Sequence, residues 1–268
     1  MNELFYLFCF ARASDVARAQ ESAPFDGPAL RFHCEGDLVA VLAVVSYDEF
    51  CGAQATEHLR DPAWIASRVV FHSTVVERIM QHSPVIPARL GALFSSVDGV
   101  AARMRSHAPA ITRLLDQVDG KAEWAVKGWL DRHIAEPRQA AAFVDEHPEQ
   151  IPLTAGARYL HKRQLEAQGG RLLDAWIERS ARGIFATLSD RVAAFRRRPD
   201  TTPAVANAEL VANWAFLVEI SEAPSFAESV RDINREFADT GLQLDISGPW
   251  PPYSFCASLA ELPTSWPG

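Results

Sequence analysis

Apolar and polar positions divide the chain into alternating strand-like and helix-like stretches. Leu4–Phe10 is aromatic-rich and apolar on both alternating faces, the pattern of a central strand. Ala13–Gln20, rich in alanine and polar residues, predicts a short helix, and Pro24–Pro28 a loop. Ala29–Glu35 and Leu38–Ser46 flank Gly36-Asp37, a tight hairpin turn. The second of these strands is too apolar to keep a wet side, so it is expected to be buried on both faces. Two helical segments follow, roughly Asp48–Arg60 and Asp61–Gln81. Asp61-Pro62 supplies an N-cap and a proline at the first helical position, while Ile65, Val69, Val76 and Met80 form an apolar stripe. Ser83-Pro84 closes that helix and Val85–Phe94 reads as a strand. Strand, short helix, hairpin, long helix, strand is the βαββαβ plan of a ferredoxin-like sandwich.

The remainder follows a similar rhythm. Val97–Val118 predicts a helix with Ile111, Leu114, Leu115 and Val118 on its apolar side, and Asp119-Gly120 turns into Lys121–Leu130. There Ala122, Trp124, Val126, Gly128 and Leu130 alternate with polar neighbours, which marks a strand. Its other face, with Glu123, Lys127 and Trp129, is expected to be half buried at most. Ala155–Arg198 is the longest helical stretch, about 65 Å if continuous, with an apolar seam of Leu173, Ile177, Ala181, Ile184, Leu188, Val192 and Phe195. Gly169-Gly170 is expected to split or bend it. After a loop at Pro199–Pro203, Ala208–Ile220 reads as a strand, Ser225–Asp239 as a helix and Leu242–Ser247 as a final strand. The fold class is therefore α+β with two domains. The first is a ferredoxin-like domain at residues 1–119. The second, at 120–268, is an α+β domain with a long helix packed on a small sheet, and it includes a proline- and aromatic-rich tail from 248 onward. The second half repeats the order of the first without a residue-level repeat, so duplication of the plan is an expectation of topology only.

Composition narrows the classes of function. The 268 residues are 48% hydrophobic and 22% charged, the balance of a globular protein. Their 26 basic and 34 acidic residues leave a net charge of −8, the wrong sign for a nucleic-acid partner. The charge is unevenly placed. Residues 155–198 hold ten basic and four acidic side chains, whereas from Pro199 onward only Arg231 and Arg235 oppose ten carboxylates. Mutual facing of these two segments is the simplest expectation. No stretch has the roughly 20 apolar residues that a membrane span needs. Leu4–Phe10 before Ala11-Arg12-Ala13 has the outline of an export signal, but Glu3 and the lack of a preceding Lys or Arg argue against one. Cys9, Cys34, Cys51 and Cys256 show no paired spacing and read as thiols of a reducing cytoplasm.

Candidate chemistry is sparse. His72 lies beside the apolar stripe of its helix, four residues after Arg68, without an obvious partner for general-base work. His33 with Cys34, and Asp131 with His133, lack further ligands at a zinc-like spacing. Phosphate-binding glycine motifs, nucleophile elbows and metalloprotease motifs are missing. No catalytic residue, metal or cofactor is assigned. Arg196-Arg197-Arg198 reads as a solvated helix C-terminus. Two segments stand out instead. Ser83–Phe94 combines Pro84 and Pro87 with an apparently buried Arg89 and with Gly91. Residues 248–255 pack Pro249, Pro251 and Pro252 among Trp250, Tyr253 and Phe255. They are either a rigid cover over the core or a conformationally fixed contact surface, which would lose little entropy on binding.

The same segments carry a resemblance. Leu4–Phe10, the Gly36–Val41 hairpin, Arg68 with His72 and Val75-Val76, Pro84–Phe94, Glu123–Lys127, Tyr159-Leu160 with Lys162-Arg163, and the closing Gly248-Pro249-Trp250-Pro251-Pro252-Tyr253-Ser254-Phe255 together resemble the gas vesicle protein family of the GvpF and GvpL type. The likeness runs from Leu4 to Phe255. Where the family often shows Arg-Phe-Gly this chain has Arg89-Leu90-Gly91, and Leu153–Ala157 stands where a Pro-Gly is usual. The resemblance implies a ferredoxin-like first domain and an α+β second one. It also implies a cytoplasmic, vesicle-associated and non-enzymatic role, in which the protein helps the small hydrophobic shell protein of the GvpA type to assemble alongside other gas vesicle accessory proteins. Pro87, Arg89, Gly91, Phe94, Trp124, Trp250, Tyr253 and Phe255 become the interaction candidates. The alternative reading is a ferredoxin-like small-molecule sensor or enzyme with a pocket near His72.

Overall fold

The computed structural model describes residues 3–20, 28–146, 154–199 and 208–256. The chain forms two compact units, one from residues 1–123 together with the segment from Pro249 onward, the other Trp124–Gly248. The second unit is thus inserted into the first. The segment Pro249–Cys256 groups with the first unit, not with the second where the sequence reading put it.

The first unit is built on β1 (Glu3–Arg12), which pairs antiparallel with β3 (Leu38–Ser46), with β4 (Val85–Pro87) and with β5 (Leu93–Phe94). Strand β2 (Leu30–Glu35) pairs antiparallel with β3, giving the order β2-β3-β1-β4. The hairpin between β2 and β3 turns at Gly36, whose φ of 59° is one that glycine adopts without steric cost. On both β1 and β3 the two alternating sets of side chains are buried: Tyr6, Phe8, Val39 and Val41 in one, Leu7, Phe10, Leu38 and Leu42 in the other. Helix α1 (Ala13–Gln20) contributes Val16 to the core containing Tyr6 and Phe8. Helix α5 (Val97–Val118) contacts the same sheet and buries Val100, Met104, Ile111, Leu115 and Val118. It starts at Ser96, whose hydroxyl accepts the Gly99 N–H at 3.1 Å.

Three expectations in this unit need correction. The helix expected over Asp48–Arg60 is two single turns, α2 (Tyr47–Phe50) and α3 (Ala55–His58). The chain folds back between them so tightly that a Cβ on Gly52 would stand 2.7 Å from the Asp48 backbone. Helix α4 (Pro62–Met80) begins as expected, with Asp61 accepting the Ala63 N–H at 2.9 Å. It buries His72, Val75, Val76 and Ile79, however, so the inward face is rotated from the predicted stripe and Val69 is exposed. The strand expected over Val85–Phe94 is interrupted. Residues between β4 and β5 form a turn in which Arg89 is exposed, not buried, and Gly91 has φ 81°.

The second unit carries a four-stranded sheet of order β7-β8-β6-β9, formed by β6 (Lys121–Leu130), β7 (Ala194–Arg197), β8 (Glu209–Glu219) and β9 (Leu242–Trp250). Counted within each unit, the two sheets share one strand order, second-third-first-fourth. Helix α7 (Ala155–Ser189) and helix α8 (Ala223–Glu236) pack on this sheet. Leu173, Ile184, Leu188, Phe226, Val230 and Ile233 meet Val126, Phe216 and Leu244 in one core.

Here too the sequence reading is corrected. The long helix ends at Ser189, and Ala194–Arg197 is a strand paired antiparallel with β8, so Arg196 and Arg197 do not cap a helix. Gly169-Gly170 does not split α7. Gly169 instead lets the Glu136 carboxylate approach to 2.9 Å from where a Cβ would stand. Glu136 belongs to α6 (Arg132–Glu146), a helix the reading missed because Pro137 interrupts its pattern. On β6, Glu123 is 2% exposed and not half-solvated. The basic and acidic segments pack through the apolar seam of α7. Glu178–Arg182 in α7 and Glu228 with Arg231 and Arg235 in α8 pair within their own helices. Of the loops expected at Pro24–Pro28 and Pro199–Pro203, only Pro28 and Pro199 fall within the described residues.

Gly241 sits in a tight turn of this unit. Its φ is 85°, and a Cβ there would stand 2.8 Å from the Asp131 carbonyl and 3.0 Å from the Ala135 amide. Gly241→Ala is expected to cost about 2 kcal/mol or more, combining left-handed strain with a backbone clash. Urea unfolding should show the midpoint falling; a midpoint unchanged from the parent would refute the assignment.

Candidate partner-binding site

The two unusual segments converge in the first unit. The Gly91 N–H donates to the Tyr6 hydroxyl at 3.1 Å, and Tyr6 Oη lies 2.9 Å from His72 Nδ1. Since Tyr6 already accepts from the backbone, its own proton is best used toward His72, which then accepts at Nδ1. The His72 ring is 3% exposed and is packed by the rings of Tyr6, Phe8 and Tyr253, with centroids 5.7, 5.6 and 6.4 Å away. Burial lowers its pKa to about 4. The Ala88 carbonyl favours the protonated ring and opposes that shift only in part, and Nε2 has no partner in hydrogen-bonding geometry.

The tail is held by a carboxylate that the sequence reading left half-solvated. Glu123 accepts the Ser254 N–H at 2.8 Å on one oxygen and the Ser254 hydroxyl at 2.7 Å on the other. Around this clamp Tyr253 N–H donates to the Pro251 carbonyl and Phe255 N–H to the Pro252 carbonyl. Burial pushes the Tyr253 hydroxyl well above its usual range. It also raises the Cys256 thiol to about 12 and the Cys9 thiol further still, so neither is a nucleophile at neutral pH. The signal available in the sequence was the coincidence of the one acid on this strand with a proline-locked tail; its burial depends on contacts 131 residues apart.

The candidates thus fall into different environments. Pro87, Phe94 and Phe255 are buried and support the site from beneath. Arg89, Gly91, Trp250 and Tyr253 reach the surface. Trp124 belongs to the second unit, half-buried against Phe226 at 6.5 Å. That unit also has an open groove of about 700 Å³ whose apolar lining includes Ile177, Phe185, Phe195 and Trp214. Arg132 at its rim is held by Glu209 and Asp174. Of the paired residues weighed for metal binding, His33 faces Glu35 at 3.2 Å and the His133 N–H donates to Asp131 at 2.9 Å. Among the described residues no cluster of three or more metal-ligating side chains occurs, and no helix is long and apolar enough to cross a membrane.

This mixed α and β fold with two sheets has counterparts among crystal structures. The gas vesicle protein GvpF from Anabaena sp. PCC7120 superposes with a TM-score of 0.67 over 95% of this chain and 96% of that one, at 15% identity. GvpF from Microcystis aeruginosa gives 0.67 over 96% and 99%, at 14% identity. In sequence, gas vesicle protein L of Streptomyces sp. (strain CB03234) is 28% identical over 97% of this chain and 95% of its own length. Gas vesicle protein F of the same strain is 26% identical over 93% and 98%. Residues 4–257 match the family described as gas vesicle synthesis protein GvpL/GvpF, and the chain belongs to that family. Membership supports a role in gas vesicle formation.

Two outcomes test the geometry. Glu123→Ala removes both charge-assisted bonds to Ser254 and is expected to cost roughly 3 kcal/mol, with Ser254→Ala costing about half as much; limited proteolysis should then cut the tail. An uncut tail with unchanged stability would count against the clamp. The second concerns pH. The folded His72 pKa of about 4 lies below an unfolded value near 6.5, so the unfolded chain takes up the proton first. Stability falls as pH drops from about 6.5 toward 4, by up to roughly 3 kcal/mol. His72→Gln should flatten that part of a pH series of urea midpoints.

Proposed function

We propose that this protein is a non-enzymatic accessory factor of gas vesicle assembly. It binds the small hydrophobic shell protein of the GvpA type, helps to nucleate or chaperone its assembly, and acts in the cytoplasm in association with the vesicle and with other accessory proteins. The observation that carries this reading is the family match across residues 4–257, nearly the whole length. The physical need is plain: an apolar chain awaiting assembly aggregates unless its surface is covered.

We read the first unit as a ferredoxin-like sandwich. The strand order β2-β3-β1-β4, with α1 following β1 and α4 preceding β4, supports that reading. The exposed face made by Arg89, Gly91, Trp250 and Tyr253 is the contact surface for the partner. Its backbone is fixed in advance, by the Gly91–Tyr6 bond on one side and the Glu123–Ser254 clamp on the other. A sensor or enzyme working at His72 would need that ring to face a cavity, and three aromatic rings cover it instead.

Co-expression with the shell protein tests the proposal. The expected outcome is shell protein in the soluble fraction that co-purifies with this chain; shell protein that stays aggregated and fails to co-purify would overturn it. Replacing Trp250, which is exposed, with Ala should weaken that association at least about tenfold while the thermal transition moves little. Loss of folding without a specific loss of association would return the tail to a purely structural role.

A further inference from the structure

The first unit contains a cavity that the contact surface above does not use. It measures about 150 Å³ and is walled by the rings of Tyr6, Phe8, Phe50 and Phe71, with Ala43 and Arg68 also lining it. A cavity of about that volume lined by apolar side chains holds a benzene-sized group. Ala43 and Ser46 are the small side chains among its walls, and Ala43 lies between Leu42 and Val44 on β3.

Arg68 gives the cavity its polarity. One terminal nitrogen of the guanidinium is engaged by Glu49, and its central carbon lies over the Trp64 ring, 5.0 Å from the centroid. Its Nε–H is buried and has no hydrogen-bond partner. A buried donor without an acceptor costs about 1–3 kcal/mol, so an occupant carrying an acceptor gains from supplying one. Glu49 already balances the charge of Arg68, so a second carboxylate there would be opposed by the first. A neutral carbonyl is favoured. The site therefore asks for two groups joined within one residue's reach, an apolar body of benzene size and a neutral carbonyl. An apolar residue in a peptide has both.

We propose that this cavity is the anchor pocket for one aromatic or leucine-sized side chain of the bound protein partner, whose backbone carbonyl accepts the Arg68 Nε–H. This rests on the assembly-factor reading and adds to it the place where the partner's apolar side chain is held. An aromatic-lined pocket that desolvates one large side chain has the character of an interface hot spot, which carries far more binding energy than its share of area.

Two variants and one small probe test it. Ala43→Leu fills the cavity and should preserve or raise the thermal transition while weakening shell-protein binding about 30-fold, the lower bound for a hot spot. Arg68→Lys keeps the charge opposite Glu49 but lacks Nε–H; it should weaken binding about tenfold and carries the test if Ala43→Leu does not fold. The probe is N-acetyl-phenylalanine amide, neutral and bearing both groups. It should produce saturable shifts of the aromatic proton signals of Phe50 and Phe71, lost in Ala43→Leu. If the parent binds the shell protein and both variants bind it within twofold, the pocket proposal falls and the assembly-factor reading stands. If the parent binds no shell protein, that reading falls. Absence of saturable probe shifts in the parent overturns the pocket in either case.

Discussion

A carboxylate removed from water must be met by donors, and the arrangement of the first unit depends on how Glu123 meets that demand. An ionised acid left alone in a protein interior costs several kcal/mol. The Ser254 amide and hydroxyl both donate to it. Because Glu123 ends the first passage of the chain through this unit and Ser254 lies just after its return, the bond joins the beginning and end of the 125-residue insertion. Held there, Tyr253 lies against His72, beside the core that contains Tyr6 and Phe8. The prolines on either side of Trp250 lower the entropy that this closure costs, since their φ angles are fixed before folding.

The two units use one strand order for different ends. In the first, β1 and β3 are buried on both sides, which requires side chains apolar in both alternating sets; Leu4–Phe10 and Leu38–Ala43 meet that requirement. In the second, the sheet packs against α7 and α8, and the inward set alone is strongly apolar along β9, where Leu242 and Leu244 alternate with Gln243 and Asp245. A shared order without shared residues accords with a repeated plan whose surfaces have been adapted to different coverings.

Much of this was legible because burial and periodicity are local. The ends of α1, α5 and β6 follow from patterns and turn residues that need no knowledge of distant contacts. The failures share a cause. Ala194–Arg197 continues the helical seam of α7, yet pairing with β8 outweighs that local preference. His72 is polar, so a hydrophobic stripe drawn along α4 missed the side on which it accepts from Tyr6. Arg89 looks buried just after two prolines, yet it lies in an exposed turn that contains Gly91 at φ 81°. Glu123 looks solvated by alternation, and only the tail shows otherwise. At the candidate site, the residue types were therefore readable, but the side-chain partners of Tyr6 and Glu123 were not, because those bonds join segments 66 to 131 residues apart.

The distribution of polar groups in the first unit bears on what such a surface can do. Catalysis needs polar groups that converge on a space a substrate can enter, with a proton donor or acceptor still free to act. The Tyr6 hydroxyl is engaged by Gly91 and His72, and both oxygens of Glu123 are taken up by Ser254. These bonds instead fix the backbone beneath Arg89, Gly91 and Tyr253, so the exposed face is ordered before any partner arrives. Recognition of an apolar chain benefits from that order directly, because rigid aromatic contacts lose little entropy on binding. On the proposed reading, these satisfied bonds serve to present a fixed surface to a partner.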